Sequence, residues 1–386
     1  MGISIGLVGL GAFGSGFADL FKSHPAVNRV ALCDREPERV ARFAGRDDWR
    51  DKFHPRDAYA SLEDACRADL DALVVITQPW LHAPQCIQAM EAGKHVYSAV
   101  PLISLPDGAE VLDWTDRLVN ACRRTGMHYM LGETTYYHPG AMYCRRRAAA
   151  GDFGDFVYAE GEYFHDVDSP QCNLRDVQRH RLASRAGREW VAIQEGYDVR
   201  GVRGGPMHYP THSVSGPIFT MRAHATRVVC FGYDTRTGDD AFGRPSNETA
   251  LFSMSNGATV RICEYREIGM PCRETFRVYG TKASFENDRW ADKHRHYPLT
   301  AAEMRDPLPD EVDRAWAHIP KDSEAYGGHE GSHPYLVHEF CDAIATGRRP
   351  AIHAWEAARY MAAGVTAHRS ALRGGEVLQV PDWGDP

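Results

Sequence analysis

The sequence lacks the features that mark several large classes of protein. It contains no apolar run long enough to cross a membrane, no CxxC pair or zinc-like cysteine spacing, and no HExxH motif. We therefore expect no membrane partner and no bound metal. It also contains no internal repeat and no low-complexity tract.

Basic residues are in short supply. The chain has 44 Lys and Arg against 52 Asp and Glu, a net charge of −8, and both signs are interspersed. A nucleic-acid-binding protein more often shows a basic face or stripe, so no nucleic-acid partner is expected. The opening residues, MGISIGLVGLGAFG, are apolar but have no basic flank, which predicts a strand and a turn rather than a signal peptide.

Cysteines are present without a pattern. The ten are scattered along 386 residues, so we expect reduced, buried thiols and a cytoplasmic location. A hydrophobic content of 43% and a charged content of 25% are ordinary for a globular protein. The length favours two domains over one.

Residues 1 to about 125 alternate between short apolar runs and helical patterns. Strands are predicted at ISIGLVGL, RVALCD, DALVVIT, HVYSA and MHYMLGE, with helices between them. This alternation is typical of an α/β fold with a doubly wound parallel sheet.

From about residue 150 the pattern changes to antiparallel strands, including a hairpin around SNG. Two stretches, 167–207 and 290–332, show no clear period and are predicted as irregular loops that form a site. Two helices are predicted near the end of the sequence.

A glycine motif follows the first predicted strand. GLGAFG places Gly9, Gly11 and Gly14 at GxGxxG spacing, with Ala12 and Phe13 between them. The glycines allow a tight turn and close approach of a pyrophosphate to the helix that follows.

Asp34 ends the second strand, 20 residues after Gly14, where a carboxylate accepts hydrogen bonds from ribose hydroxyls. The motif predicts a dinucleotide site that favours NAD, whereas Arg35 keeps NADP open.

The segment ITQPWLHAPQCIQAMEAGKHVYSAVP resembles the glucose-fructose oxidoreductase/inositol dehydrogenase (Gfo/Idh/MocA) family. The resemblance implies an NAD-binding Rossmann domain, residues 1–130. It also implies a substrate-binding α/β domain, residues 131–386, with an open, mostly antiparallel sheet and C-terminal helices that pack back on the first domain. By position, Thr77, His82 and Pro101 would bind the cofactor. Val100 replaces the family's lysine and Ala99 its glutamate.

A second family motif is altered. GGPMHYPTH, residues 204–212, resembles that of the NAD-dependent glycoside hydrolases, a divergent branch of the family. The resemblance implies oxidation at a sugar C3, elimination of the C1 substituent, addition of water and return of the hydride. Because valine transfers no proton, we interpret Tyr209 and His212 as the catalytic pair. Glu133 is interpreted as a substrate ligand or acid.

Further residues are candidates for contact with the substrate. They are Tyr136, His165, Asp166, Arg181, His208 and His329. Structural roles for Tyr136, Tyr137 and His138 are equally compatible with the sequence. Arg181 belongs to a group with Arg175, Arg179, Arg185 and Arg188, which is either a solvated surface or a clamp for an anionic sugar.

Three functions remain open from the sequence. The first is redox-neutral glycoside cleavage, the second is simple NAD-dependent sugar or polyol oxidation, and the third is nucleotide binding without turnover. The resemblance also implies a homo-oligomer formed through the second sheet.

Overall fold

The first part of the chain forms a six-stranded parallel sheet in this computed structural model, which describes residues 2–170, 173–235 and 243–386. Its strands are β1 (Ile3–Val8), β2 (Val27–Cys33), β3 (Ala58–Tyr59), β4 (Ala72–Val75), β5 (His95–Ser98) and β6 (Tyr129–Leu131). Their order is β3-β2-β1-β4-β5-β6, and every pair is parallel. The predicted doubly wound sheet is confirmed, and the order in which its strands are added reverses between β1 and β4.

Five helices flank this sheet. They are α1 (Ala12–Ser23), α2 (Pro37–Ala44), α3 (Leu62–Arg67), α4 (His82–Glu91) and α5 (Gly108–Thr125). In α5, one face is buried through Val111, Leu118 and Cys122, at helical spacing. Asp107 caps its first turn by accepting the Ala109 N–H, and Gly126 ends it at φ 70°.

The second sheet has nine strands. They are β7 (Phe156–Phe164), β8 (Ala225–Tyr233), β9 (Asn247–Met254), β10 (Thr259–Tyr265), β11 (Arg273–Gly280), β12 (Ala283–Glu286), β13 (Arg289–Asp292), β14 (His296–Pro298) and β15 (Leu378–Gln379). Their order is β14-β13-β12-β11-β7-β10-β9-β8-β15, with β7 and β10 parallel and the other pairs antiparallel. The predicted mostly antiparallel sheet and its hairpin are confirmed.

The remaining helices lie around the second sheet and between the two sheets. They are α6 (Pro139–Ala149), α7 (Leu174–Ala183), α8 (Arg185–Val199), α9 (Thr211–Met221), α10 (Ala301–Met304), α11 (Asp310–Ala315), α12 (Glu324–Gly331), α13 (His333–Thr346) and α14 (Ala354–Leu372). Helix α9 is buried along its whole length. A side chain at Gly161 in β7 would meet the Ser213 carbonyl at 1.8 Å, so this glycine lets α9 lie directly on the sheet.

The stretch 167–207 is not the irregular loop that the sequence predicts. Its centre is helical, because Asn173 caps α7 at the Asp176 N–H and Ser184 caps α8 at the Gly187 N–H. Helix α7 buries none of its residues, and α8 buries only a narrow stripe that includes Trp190 and Tyr197. The apolar periodicity was therefore too weak to show these helices in the sequence.

The stretch 290–332 also differs in part from its prediction, since it contains β14 and three short helices, α10 to α12. Within α12 the backbone departs from helical geometry, with His329 at φ 49° and Glu330 at φ 56°. Such left-handed conformations are costly for side chains other than glycine and often occur at functional sites.

Helix α14 packs against both α5 and β8 and so joins the two parts of the chain. The boundary after residue 130 stays a prediction. Among the described residues, no helix is both long and apolar enough to span a bilayer.

Eight cysteines are free and buried, as expected. Cys272 is disulfide-bonded, which corrects the expectation that every thiol is reduced. Cys272 is exposed directly before β11, so it does not pack in the hydrophobic core as the eight free cysteines do. The prediction for Cys172 lies outside the described residues.

Candidate active site

A cleft of about 1640 Å³ opens at the carboxyl ends of the parallel strands. Helices α7 and α8 and the loop before α9 form its other walls. Pockets for a single small ligand are usually ~300–1,000 Å³, so this cleft has room for a dinucleotide and a further molecule.

The glycine motif leaves an open cradle in the cleft. Gly9 has φ 91°, and a Cβ there would lie 2.3 Å from the Ile76 carbonyl. A Cβ on Gly14 would lie 2.0 Å from the Gly9 carbonyl, whereas one on Gly11 would meet nothing nearer than Arg39, at 3.8 Å. Among the residues that the structure describes, no side chain caps α1. The first backbone N–H groups of α1, at Ala12 and Phe13 on the cleft wall, therefore suit a pyrophosphate.

Asp34 lies directly after β2, where the motif predicts a carboxylate that accepts hydrogen bonds from ribose hydroxyls. It lines the cleft, and its oxygens accept the N–H groups of Leu10, at 2.7 Å, and Glu36, at 2.9 Å. Arg35 forms a two-pronged ion pair with Glu189 of α8, with N–O distances of 2.8 and 2.6 Å. The Arg35 guanidinium, which could otherwise bind the 2′-phosphate of NADP, is therefore paired with a residue of the second part of the chain.

Thr77, His82 and Pro101 lie near one another at the ends of β4 and β5. Nδ1 of His82 is 2.8 Å from the Pro101 carbonyl oxygen, and Nε2 is 3.3 Å from the Thr77 carbonyl oxygen. Burial lowers the pKa of His82 to about 4, so the ring is neutral and its single N–H can donate to only one of these two carbonyls. Thr77 and His82 line the cleft.

Ala99 and Val100 also line the cleft, where they present no ionisable group. The Tyr209 hydroxyl donates a hydrogen bond to the Val100 carbonyl at 3.2 Å. A phenol from the second part of the chain therefore reaches the backbone of the position that holds lysine in the family's motif.

His212 is the centre of a buried acid-base group. Its Nδ1 lies 2.9 Å from Oε1 of Glu133 and 3.7 Å from Oε1 of Glu274. Thr135 binds both carboxylates, because its N–H donates to Glu133 at 2.9 Å and its hydroxyl donates to Glu274. His212 lines the cleft, so the buried carboxylates orient a ring that is accessible from the cleft.

The charges in this group set unusual pKa values. Burial alone disfavours the His212 imidazolium, but the negative charges of Glu133 and Glu274 outweigh it and raise the His212 pKa to about 9. Burial would raise the pKa of Glu133, yet the neighbouring His212 charge lowers it to about 2. Burial raises the pKa of Glu274 to about 7 against the attraction of His212. The three groups together can hold or release protons near neutral pH.

Two tyrosines surround His212. The Tyr209 and Tyr163 ring centroids lie 5.7 and 4.9 Å from that of His212. Burial raises the pKa of Tyr209 to about 12, so its hydroxyl is neutral. Both phenols line the cleft, as does Arg266, whose guanidinium lies 4.9 Å from the Tyr163 ring centroid.

Four of the six predicted substrate residues line the cleft: His165, Arg181, His208 and His329. Nδ1 of His165 is 2.6 Å from the Tyr163 hydroxyl. His208 is buried against His368, with Nδ1 3.0 Å from the Leu105 carbonyl oxygen.

The other two, Asp166 and Tyr136, are not among the described residues that line the cleft, and contact of either with the substrate stays a prediction. Both carboxylate oxygens of Asp166 accept backbone N–H groups, from Asp168 at 2.9 Å and Ile268 at 2.8 Å. Asp166 therefore holds a turn in place. Tyr136 packs on Phe219 and lies under the guanidinium of Arg145, with 3.8 Å from its ring centroid to Cζ.

The arginine group does not converge. Arg175 pairs with Asp168 at 2.6 Å and Arg179 with Asp176 at 2.7 Å. Arg188 donates to the Ala183 carbonyl, whereas Arg181 and Arg185 line the cleft. The five arginines therefore do not form one clamp. Arg181 is the one best placed for the predicted contact with an anionic sugar.

Several residues of the site were missed by the sequence reasoning. They are Tyr163, Glu264, Arg266, Glu274 and His333. A signal existed for Glu274, because Phe276 and Val278 in the same strand are buried and strand alternation puts Glu274 on their face. The same reasoning applies to Glu264 beside Ile262.

Two groups of described side chains have donor atoms close enough to share an ion, namely Glu133, His212 and Glu274, and Glu324, His329 and His333. In the second group, the two imidazoles contact each other, with Nδ1 of His329 2.9 Å from Nε2 of His333. The expectation of no bound metal stays a prediction.

Two family models match the chain. One, described as "Oxidoreductase family, NAD-binding Rossmann fold", matches residues 3–133. The other, described as "Oxidoreductase family, C-terminal alpha/beta domain", matches residues 245–379. Both belong to the Gfo/Idh/MocA group that the segment ending at Pro101 resembles.

The chain is 28% identical over 320 residues to "Glycosyl hydrolase family 109 protein 1" of Bacteroides fragilis; the match covers 78% of this chain and 62% of that protein. Among solved structures, aldose-aldose oxidoreductase of Caulobacter crescentus complexed with glycerol matches with a TM-score of 0.72 at 16% identity over 98% of this chain and 100% of the other. Scyllo-inositol dehydrogenase of Lactobacillus casei, with bound NAD(H) and scyllo-inositol, matches with a TM-score of 0.65 at 13% identity over 98% and 99%. The structural matches show a shared fold.

Proposed function

We propose, from the premise that this chain belongs to the Gfo/Idh/MocA oxidoreductase family, that it binds NAD and acts on a sugar or glycoside by hydride transfer at C3. The reaction that the site supports best is redox-neutral glycoside cleavage. The observation that carries this proposal is the group formed by Tyr209, His212 and Glu133 in a cleft where Val100 replaces the family's lysine.

NAD, when bound, supplies a hydride acceptor and then returns the hydride. The glycine cradle at Gly9, Gly11 and Gly14 would hold its pyrophosphate, and Asp34 would accept ribose hydroxyls. Arg35 is engaged by Glu189, which supports NAD over NADP.

The protons belong to the protein. His212 is oriented by Glu133. In its neutral form His212 takes a proton from the reacting hydroxyl or carbon, and in its imidazolium form it gives the proton back. The Val100 carbonyl holds the Tyr209 hydroxyl in the cleft, and when its one O–H turns from that carbonyl to the substrate it can support departure of the C1 substituent. The names of the glycosyl hydrolase relatives agree with this reaction.

The decisive experiment uses a panel of 4-nitrophenyl glycosides without added nucleotide. Nitrophenol release and absorbance of reduced nicotinamide are followed together. Release without net NADH supports the proposal, whereas stoichiometric NADH without release contradicts it.

A second candidate is simple sugar or polyol oxidation. It is favoured by the shared fold with inositol and aldose oxidoreductases, whose names describe such reactions. In that case His212 replaces the missing lysine as the base. A protein that binds no nucleotide would contradict both candidates, and one that binds NAD without any turnover would favour a binding role.

We also propose that the substrate carries an anionic group near Arg181, which lines the cleft. The open face of the second sheet exposes Phe231 and Leu251, by 64% and 46%, and we propose that two copies of the chain meet there. A cytoplasmic location stays a prediction, supported by the eight buried free thiols.

A further inference from the structure

A line of titratable side chains leads away from His212. It begins at Glu274, continues to His138 and ends at Glu330. Among the described residues that line the cleft, His212 is included and these three are not. The line therefore leads from a residue of the cleft to side chains outside the described cleft lining.

The spacing along the line is regular. Oε1 of Glu274 lies 3.7 Å from Nδ1 of His212 and 3.7 Å from Nε2 of His138. Nδ1 of His138 lies 3.8 Å from Oε2 of Glu330. Each gap exceeds a hydrogen bond by less than ~1 Å, so a small side-chain movement closes it.

The chemistry of each group suits proton passage. His138 is buried, and its Nε2 has no hydrogen-bond partner among the described residues, although it faces Glu274. An unpartnered buried nitrogen calls for an explanation. The ring presents one nitrogen to each carboxylate, which is the arrangement that lets an imidazole accept a proton on one side and release one on the other.

The far end of the line reaches solvent. The Glu330 side chain is 61% exposed, whereas that of His138 is 9% exposed. Glu330 is held in a left-handed conformation at φ 56°, and Arg305 donates to its carbonyl. The backbone is thus fixed in a strained form that places this carboxylate beside His138.

We propose that Glu274, His138 and Glu330 are relay residues that exchange protons between His212 and bulk water while cofactor and substrate fill the cleft. This inference rests on the proposed function of His212 as the proton-transferring group. One proton leaves His212 for Glu274 and passes to Nε2 of His138 as another leaves Nδ1 for Glu330 and then water. The reverse sequence returns a proton, so the relay is neither consumed nor oxidised.

The test compares Glu274→Gln, His138→Gln and Glu330→Ala with Glu311→Ala, an exposed glutamate on α11 that is outside the line. With the glycoside that the wild type cleaves, we expect the three relay variants to lower kcat at least tenfold, to leave KM unchanged within twofold, and to increase the solvent deuterium isotope effect. Acetate at high concentration should restore Glu330→Ala, because a small acid can replace an exposed carboxylate. It should leave Glu311→Ala and the wild type unchanged.

Wild-type kcat and isotope effects in all three variants would overturn the relay, and so would a loss that acetate does not restore. A second measurement needs no turnover. In protein with ¹⁵N-labelled histidine, exchange of the His212 Nδ1 proton with water should slow at least tenfold in His138→Gln and not in Glu311→Ala. If the exchange rate is unchanged, the relay is contradicted, whether or not a glycoside is cleaved. If exchange slows but no glycoside is cleaved, only the proposed function is contradicted.

Discussion

At the scale of single residues, the site has a network of hydrogen-bonding side chains, whereas the family's motif has one lysine. Val100 can neither bind nor release a proton, and in the proposed function the phenol of Tyr209 and the imidazole of His212 provide these properties instead. The buried carboxylate of Glu133 and the half-buried carboxylate of Glu274 give His212 a basicity that an isolated buried imidazole would not have.

The first prediction concerns the Tyr209 hydroxyl. Tyr209→Phe removes one oxygen and keeps the ring, so we expect turnover to fall by about 10²-fold or more while NAD binding is unchanged. Steady-state kinetics and NAD titration by calorimetry provide the measurements. Tyr137→Phe is a matched control, because Tyr137 is buried against Tyr335 outside the cleft lining. Equal activity of the two variants would contradict a role for Tyr209.

The second prediction concerns the pH dependence that Glu133 controls. In the proposed function His212 acts as a base when neutral, so the rate should rise with pH through its pKa, which is about 9. Glu133→Gln removes a negative charge that favours the imidazolium, so the His212 pKa should fall and the rising limb should move to lower pH by about one unit or more.

The charged and titratable groups facing His212 in that experiment are Glu133, His138, Tyr163, Tyr209, Glu264, Arg266, Glu274 and His329. Glu311→Gln, outside this group, controls for a general loss of charge. A pH profile of kcat/KM that does not move in Glu133→Gln would exclude the Glu133–His212 pair as the source of the pH dependence.

At the scale of elements, α7 and α8 join the second part of the chain to the cofactor side of the cleft. Trp190 of α8 stacks on Trp80 with ring centroids 4.9 Å apart, and the Arg185 N–H donates to Glu36 at 3.2 Å. With the Arg35–Glu189 ion pair, these contacts place α8 over the region where the ribose is expected. The helices that the periodicity did not show thus help to shape the cofactor site.

The third prediction tests this contact through cofactor selectivity. Glu189→Gln frees the guanidinium of Arg35, so we expect the ratio of NADP to NAD dissociation constants to fall about tenfold. Glu195→Gln, an exposed glutamate on the same helix, is the matched control. Calorimetric titration with both nucleotides measures the ratio. No change in Glu189→Gln would show that Glu189 does not restrain Arg35 in solution.

At the scale of the whole molecule, the second sheet presents one face to the helices and leaves the other open. On the inner face α9 and α14 cover residues such as Ile262 and Phe252. On the outer face Phe231 and Leu251 are exposed beside a row of ion pairs between Arg261, Arg277 and Glu160. An exposed apolar area rimmed by charges is typical of a protein interface.

The fourth prediction follows from this face. A double variant, Phe231→Glu with Leu251→Glu, places like charges where two copies would meet, so we expect it to be monomeric while the wild type is oligomeric. Light scattering after size-exclusion chromatography measures the mass. Val199→Glu, at an exposed position at the end of α8, controls for added surface charge. A monomeric wild type would contradict the interface.

The amino-acid sequence by itself determined the parallel sheet, the glycine cradle and the identity of the altered motif. These features depend on local patterns, namely the alternation of strands and helices, the spacing of Gly9, Gly11 and Gly14, and residues 204–212. Tertiary structure decided which side chains form the acid-base group. Glu133 follows β6, His212 lies in α9 and Glu274 lies in β11, and no local periodicity encodes their contact. Their charges and burial become coupled when the two sheets and α9 pack together, and this packing sets the pKa of His212.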